Sequence, residues 1–451
     1  MDSTRPGNPL ARWLRALTNI ERNEMAAVLL SFLLVFVLMT SYSILKPLRD
    51  ALAADWGNVG LSLTWTVNFG VSLLAVAAYN AALTYVRFRI MVPAVYVFFA
   101  LSFLVLYLLR TTLPDPVLVN KTFYVWVSVF SLFNLSVFWS FMTDVFRSEQ
   151  ARRVFGVIAA GTTVGAITGP SITAALVDSL GADGLLLLSA ALLFSPLVAV
   201  PVLRSLKETR LGNADPATGD GGLEMALGKN ALDGFSELLK DRYLLGICAF
   251  ILLYVTINTF VYFELQNLTR EYSLEFRAKI WSVIEITTNV LTLVTAALIT
   301  GRIVTRLGMT TALALMPVFV LVGVLALVAS PVLLVLGIFQ VGRRVGNYAV
   351  TRPSREMLFT VLSREARFKS KPIIDVVVYR GGDVASGWLF TLLAGAFGLG
   401  LKGVAVMIGI VAVLWGFIAI WLGRRYALRN DALTSGEGDD EKPGSAVQAD
   451  G

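Results

Sequence analysis

The chain of 451 residues has no histidine and a single cysteine, Cys248. Without histidine it lacks the commonest transition-metal ligand and the side chain that ordinarily exchanges protons near neutral pH. One cysteine can form neither an internal disulfide nor a cysteine metal cluster. Any proton the protein moves must therefore be carried by Asp, Glu, Lys or Arg. Charge is scarce as well: 15% of the residues are Asp, Glu, Lys or Arg against 56% hydrophobic ones, too apolar a composition for a surface that faces only water. The sequence has no Walker phosphate loop, no G-x-S-x-G elbow and no H-E-x-x-H helix, and no polar stretch long enough to fold as a catalytic domain. These absences argue against an enzyme and call for no cofactor or metal.

What the chain has in abundance is apolar runs of membrane-crossing length, with a mean hydropathy of +0.72. About 20 apolar residues cross a hydrocarbon core as a helix, and about twelve such runs recur. They fall near 25–45, 61–84, 90–109, 122–144, 154–177 and 184–203, then near 244–264, 280–300, 309–329, 332–351, 376–397 and 403–423. The expected fold is an all-α integral membrane protein of about twelve transmembrane helices in two six-helix halves. Residues 1–24 read as a cytoplasmic N-terminal segment, 25–205 as the first half, 206–241 as a cytoplasmic linker, 242–425 as the second half and 426–451 as an acidic disordered tail. The linker is marked by Gly212, Pro216, Gly219, Gly221 and Gly222 among charges, and 231–239 reads as a short amphipathic surface helix.

The net charge of +7 hides an asymmetry. The tail from Asp431 onward holds six acids and one lysine, so the rest of the chain is more basic than the total suggests. Lys and Arg collect in cytoplasmic loops of membrane proteins, so this excess points to topology and not to nucleic acid. Arg87 and Arg89, Arg147, Arg152 and Arg153, Arg302 and Arg306, the cluster at 352–371, and Arg424, Arg425 and Arg429 all fall on one side if both termini are cytoplasmic. Ser148, Ala151 and Arg152 recur at the same spacing as Ser363, Ala366 and Arg367 at the equivalent point of the second half, as a duplication predicts.

Ionisable residues inside the spans are costly and call for a partner or a water-filled site. At the end of the first span, Tyr42, Lys46 and either Arg49 or Asp50 share a helical face. Lys46 reads as a substrate contact or as a lysine snorkelling to the interface. In the tenth span Gln340, Arg343, Arg344 and Asn347 form a polar stripe. Two arginines there suit an anion held in a two-point fork, or ion pairs with Asp375 or Asp383. In the eleventh span, Tyr379, Arg380 and Asp383 flank Gly381 and Gly382, and Arg380 and Asp383 are spaced to pair. Glu285, with Asn289 one turn on, is a candidate for cation or proton coupling or for pairing with Lys46. Tyr254, Asn258 and Tyr262 line up toward Glu264, either as packing or as a face for a heterocycle. Gly161, Gly165 and Gly169-Pro170 form a close-packing seam with a kink.

Twelve spans split six and six resemble the major facilitator superfamily, as do Gly301-Arg-Ile-Val-Thr305-Arg306-Leu-Gly308 and Gly165-Ala-Ile-Thr-Gly169-Pro170. A more specific resemblance is to the ATP/ADP translocase family of nucleotide exchangers. It rests on Ile44-Leu45-Lys46-Pro47-Leu48-Arg49-Asp50, on 141–156 with Asp144 and Arg147, and on Arg352-Pro353-Ser354-Arg355-Glu356 continuing through Lys371-Pro372-Ile-Ile-Asp375 to Tyr379-Arg380-Gly381-Gly382-Asp383. This resemblance implies exchange of nucleoside phosphates, with Lys46 first and Arg380 next among the residues meeting the phosphates.

The sequence thus leads to an alternating-access carrier of an anionic small molecule in a bacterial inner membrane, acting as a monomer in the bilayer. Lys46, Arg49, Arg343, Arg344, Asn347, Tyr379 and Arg380 are the expected binding residues. Asp50, Asp144, Arg147, Glu264, Glu285, Asp375 and Asp383 are the expected coupling or gating residues. A proton-coupled exporter of an amphipathic molecule and a non-transporting receptor or scaffold are the alternatives.

Overall fold

The computed structural model describes residues 20–85, 88–213 and 238–434, all built from helices and short connections. The expected surface helix at 231–239 lies almost entirely outside these residues, as do Arg87, most of the linker and the end of the tail. The helices are α1 (Met25–Ala53), α2 (Gly57–Tyr85), α3 (Phe88–Thr112), α4 (Val117–Val145), α5 (Ser148–Leu192), α6 (Ser195–Thr209), α7 (Arg242–Thr269), α8 (Leu274–Thr295), α9 (Gly301–Ala329), α10 (Leu333–Gly346), α11 (Arg352–Leu358), α12 (Arg364–Ile373), α13 (Tyr379–Phe397) and α14 (Leu401–Thr434).

Among the described residues, eight helical segments are long and apolar enough to cross a membrane. Two of these, Met25–Tyr79 of 55 residues and Ser148–Thr209 of 62, would each extend about 80 Å or more at 1.5 Å per residue. A hydrocarbon core is only about 30 Å thick, so each supplies two crossings. Glycines supply the breaks: Gly57 has φ 63° and Gly181 φ 64°, a region that residues with a Cβ avoid. The two remaining expected spans, the tenth and the eleventh, carry π-helical turns at the end of one, Asn347–Thr351, and the start of the other, Ile374–Val378. Each turn lies beside a proline, Pro353 and Pro372, which has no N–H to donate to the helical ladder.

The chain forms two compact units, Met1–Gly222 with Gln266–Val290, and Leu223–Leu265 with Leu291–Gly451. In the first, α1 and α5 meet along the glycine seam. A Cβ at Gly161, Gly165 or Gly169 would lie 2.6, 2.7 or 2.7 Å from the carbonyl oxygens of Phe32, Phe36 and Thr40, so only glycine lets the two backbones come this close. Hydrogen bonds fasten the same contact. Thr173 Oγ1 donates to Ile44 O at 2.9 Å, and the Ser41 and Ser189 hydroxyls are 2.8 Å apart. Behind α1 the rings of Phe99, Phe103 and Phe130 pack with centroids 4.9–6.4 Å apart.

The first unit includes Gln266–Val290 although that segment follows the linker, which differs from a division at residues 206–241. The reason is polar. Gln266 Nε2 donates to Asp50 O at 2.9 Å and Arg277 Nη1 to Ala51 O at 3.1 Å, so both cap carbonyls in the last turn of α1. Arg277 also pairs with Asp55 at 2.8 Å, Lys279 with Asp178, and Asn289 Nδ2 donates to Ala166 O.

In the second unit, α9 packs on α14 and on α10, where the Phe319 and Phe339 rings stack, and Phe390 of α13 packs on Phe260 and Phe263 of α7. Helix α14 continues to Thr434, so the stretch 426–434 is helical and not part of a disordered tail. Arg429 holds that extension by pairing with both oxygens of Asp241 at 3.0 and 3.1 Å and lying over the Tyr243 ring at 4.5 Å. Both units expose large apolar side chains such as Leu74, Leu118, Leu334 and Phe397, as expected where lipid is the solvent.

Candidate functional site

Each unit contains its own cationic centre within the apolar spans. In the first, the last turns of α1 carry Lys46, Arg49 and Asp50, with Pro47 inside the helix. Lys46 Nζ forms a 2.8 Å ion pair with Glu285 Oε2 on α8. The glutamate is almost wholly buried and the lysine about one fifth exposed, so the pair is largely shielded from water. Arg49 turns to its neighbour: its Nε and Nη2 donate to Asp50 Oδ1 at 2.9 and 2.7 Å. Its Nη1 reaches Ser128 Oγ at 3.3 Å, and its plane lies 5.0 Å from the Tyr124 ring centroid. Tyr124 is fixed in turn by a 2.7 Å hydrogen bond from Trp65 Nε1. Lys46 and Arg49, neighbours in sequence, thus have different carboxylate partners.

The second unit holds an arginine of another kind. Arg343 on α10 is completely buried. Its Nη2 donates to Gln340 Oε1 at 2.6 Å and Asn258 Oδ1 at 2.8 Å, and its Nη1 to the Tyr254 hydroxyl at 3.5 Å. All three acceptors are neutral, and Nε has no partner. Among the described residues no carboxylate pairs with Arg343. Among the described residues, Arg343 forms neither of the ion pairs weighed from sequence: Asp375 pairs with Arg355 at 3.5 Å, and the Asp383 carboxylate has a buried oxygen without a hydrogen-bond partner. The Arg380 charge acts on Asp383, as their spacing allows, and Thr259, fully buried, is the hydroxyl beside that carboxylate. Tyr254 faces Tyr379 at 6.5 Å and Trp415 at 5.8 Å. Arg344 and Glu264 are buried, and Asn347, half-buried, opens the π-helical turn after α10.

The remaining charged candidates lie at helix ends. Lys207 pairs with Asp144 at 3.2 Å, Arg147 Nη2 donates to Gly212 O at 3.2 Å, and Asn213 Nδ2 donates to Gln150 Oε1 at 2.7 Å. These contacts tie the end of α6 and the residues after it to the end of α4 and the start of α5. Between the tenth and eleventh spans, Glu356 takes Arg355 at 3.0 Å and Lys371 at 2.6 Å. Burial pushes the Glu356 carboxyl up, but Lys371 and Arg355 outweigh it and hold it below its ordinary value.

Sequence reasoning singled out Lys46, Glu285 and Arg343 and offered the Lys46–Glu285 pair, which forms, but not the surroundings of Arg49. Tyr124 and Ser128 carry no local signal and reach Arg49 only through the fold. Arg277 was legible in principle, because Arg277, Trp281 and Glu285 recur every fourth residue on one face of α8, and all three are buried.

Comparison with known proteins follows the same lines. A family model described as Major Facilitator Superfamily matches residues 31–351, more than two thirds of the chain. A curated protein, "ADP,ATP carrier protein 2" of Chlamydia trachomatis serovar D, is 24% identical over 228 residues, 44% of this chain. The chain spans 42% of the length of that relative. Among solved structures, a bacterial homologue of the iron transporter ferroportin in an inward-facing state aligns with a TM-score of 0.62 at 14% identity, over 89% of this chain and 98% of the other. The nucleoside transporter NupG aligns with a TM-score of 0.59 at 13% identity, over 89% and 99%. At such identities these two likenesses concern the fold.

Proposed function

The chain belongs to the Major Facilitator Superfamily, and from that premise we propose that it exchanges nucleoside phosphates, or an organic anion of the same kind, by alternating access across a bacterial inner membrane. The observation that carries this reading is Arg343. A guanidinium keeps its proton at any physiological pH, and a buried one without a counter-charge is strongly disfavoured. A phosphate would supply the missing charge and accept from the unpartnered Nε. The sequence shared with an ADP,ATP carrier supports a nucleotide as the molecule bearing it. Tyr254 and Tyr379 would provide aromatic surface for its base.

Lys46, in the first unit, offers an anion a contact of a different kind. Glu285 neutralises it at rest, and an incoming phosphate competes with that carboxylate for the ammonium. The chain acts as a monomeric carrier with both termini in the cytoplasm and performs no covalent chemistry on its cargo. The test is uptake of labelled ATP into proteoliposomes preloaded with ADP, for the wild type, Arg343→Gln and Lys46→Ala. Counterflow lost in both variants supports the reading; wild-type protein that is folded yet moves no nucleotide overturns the choice of substrate.

A second reading, export of an amphipathic molecule against protons, draws on the buried, unpartnered oxygen of Asp383. It predicts flux driven by a pH gradient without nucleotide competition, and lost in Asp383→Asn.

A further inference from the structure

The seam between α7 and α13, inside the second unit, holds more oxygen than packing requires. Gly382 brings the two helices together: a Cβ there would lie 2.8 Å from Leu252 Cδ2. One turn on, the Thr256 and Ser386 hydroxyls are 3.0 Å apart, and further along Phe390 packs on Phe260 and Phe263. Asp383 and Thr259 belong to this same seam. Hydroxyls in these helices commonly donate to the carbonyl one turn back, as Thr256 does to Leu252 O and Thr391 to Gly387 O, both at 2.9 Å. Thr259 does not. It is completely buried beside Asp383, and neither its Oγ1 nor the carboxylate's Oδ1 has a hydrogen-bond partner of normal geometry. Two buried oxygens side by side, one of them on an acid, are costly unless a third group answers both.

We propose that Asp383 and Thr259 form a site for a hard monovalent cation, sodium, which binds together with the anionic cargo. Carboxylate and hydroxyl oxygens are the donors that hard cations take. A single carboxylate matches a single positive charge, whereas a divalent ion would leave an unbalanced charge inside the span. Among the described residues no group of three His, Cys, Asp or Glu is placed to hold a metal ion of the other kind. The site also touches the machinery of anion binding. The Arg380 charge acts on Asp383, so a cation that takes up the carboxylate leaves Arg380 to attract an anion. On α7, Thr259 directly follows Asn258, an acceptor of Arg343. On α13, one turn before Asp383, Tyr379 faces Tyr254, whose hydroxyl accepts from Arg343. Cation and anion thus bind on the same stretches of the same two helices, and each favours the other through its opposite charge. Only this coupling rests on the anion reading above; the cation site does not. A proton on Asp383 is the competing occupant, and the two differ in what they need: a proton needs the carboxylate alone, sodium the Thr259 oxygen as well.

The deciding variant is therefore Thr259→Val, which keeps the shape and the acid but removes the second oxygen, with Thr259→Ser as its rescue and Asp383→Asn as the loss of the charge. The first measurement needs no cargo: the thermal midpoint of the full-length protein in nanodiscs is followed as sodium replaces choline at constant ionic strength and pH. The wild-type midpoint is expected to rise with sodium and that of Asp383→Asn to stay flat. Thr259→Val is expected to need at least about tenfold more sodium for half the rise, and Thr259→Ser to return close to the wild type. The second measurement is uptake of labelled ATP into ADP-loaded proteoliposomes with sodium or choline outside, expected to be faster with sodium in the wild type and Thr259→Ser but not in Thr259→Val. A folded wild type whose midpoint ignores sodium overturns the site, and ATP uptake in that same protein would leave the anion reading intact. A Thr259→Val protein that responds to sodium as the wild type does overturns it as well. A midpoint that follows sodium as expected without any ATP uptake supports the site and overturns the choice of nucleotide. Sodium binding with ATP uptake indifferent to sodium overturns the coupling.

Discussion

Replacing Gly165 by alanine adds one methyl group at the closest approach of α1 and α5. Its Cβ would lie 2.7 Å from Phe36 O, 2.9 Å from Met39 Cβ and 3.0 Å from Thr40 N. Two of these atoms belong to the α1 backbone and cannot rotate away, so the helices must separate by roughly 0.5–1 Å to restore ordinary contact. Overpacking of this kind costs about 1–3 kcal/mol. Alanine recovers up to about 1 kcal/mol in helix propensity, but two fixed backbone atoms put this contact at the upper end of the overpacking range, which leaves a net loss of about 1–2 kcal/mol. For a unit of this size that corresponds to a midpoint lower by roughly 2–8 °C. The assay is thermal unfolding of purified protein in one detergent, followed by monodisperse recovery on size exclusion. Gly381→Ala, in α13 with no heavy atom within 4 Å of the added carbon, is the control and is expected to match or slightly exceed the wild type. Because α1 carries Lys46, Gly165→Ala is also expected to slow transport. A Gly165→Ala protein as stable as the Gly381→Ala protein would refute the close-packing argument.

Three further outcomes follow from polar contacts. Lys46→Ala leaves the buried Glu285 without its counter-charge and is expected to cost about 3 kcal/mol. Lys46→Met combined with Glu285→Met is expected to regain most of that stability but not transport, which thermal midpoints and counterflow separate. Glu356 is held below its ordinary value of 4.5, so its contribution to stability is complete above that pH and is lost as pH falls through the lower folded value. Glu356→Gln is expected to flatten that part of an acid-stability curve and to leave the curve above pH 6 shifted but parallel. Arg429→Ala removes the pair with Asp241 and the contact with Tyr243, so amide hydrogen exchange is expected to rise at 424–434 and to stay unchanged in α1 and α5.

Much of the architecture was legible because lipid writes a simple rule into sequence: each crossing needs about 20 apolar residues, and polar interruptions mark its ends. That rule is silent where the ladder itself changes. The tenth and eleventh spans carry π-helical turns at one end each, which hydropathy does not register, although Pro353 and Pro372 mark where they fall. The rule also missed the helical end of α14, since the charges that suggested a tail are in part an anchoring arginine. At the candidate site, Lys46, Glu285 and Arg343 stood out because charge is rare in apolar helices. Glu285 was among the readings for Lys46 and is its partner, but the assignment of Asn258 and Tyr254 to Arg343 was not legible, because which residue answers a charge depends on helices far apart in sequence. Arg343 was expected to have an acidic partner or a substrate, and only the structure shows amides in place of the acid.

The capping of α1 also bears on how the chain is made. The carbonyls of Asp50 and Ala51 accept from Gln266 and Arg277, more than two hundred residues later in synthesis. When the first six helices have left the ribosome and entered the bilayer, the end of α1 still lacks these donors, and Lys46 still lacks Glu285. The first unit therefore cannot mature in the order in which it is made. It must wait, with polar groups held by water, lipid headgroups or an insertion factor, until α7 and α8 arrive, and a chain truncated at the linker would keep that end of α1 permanently unfinished.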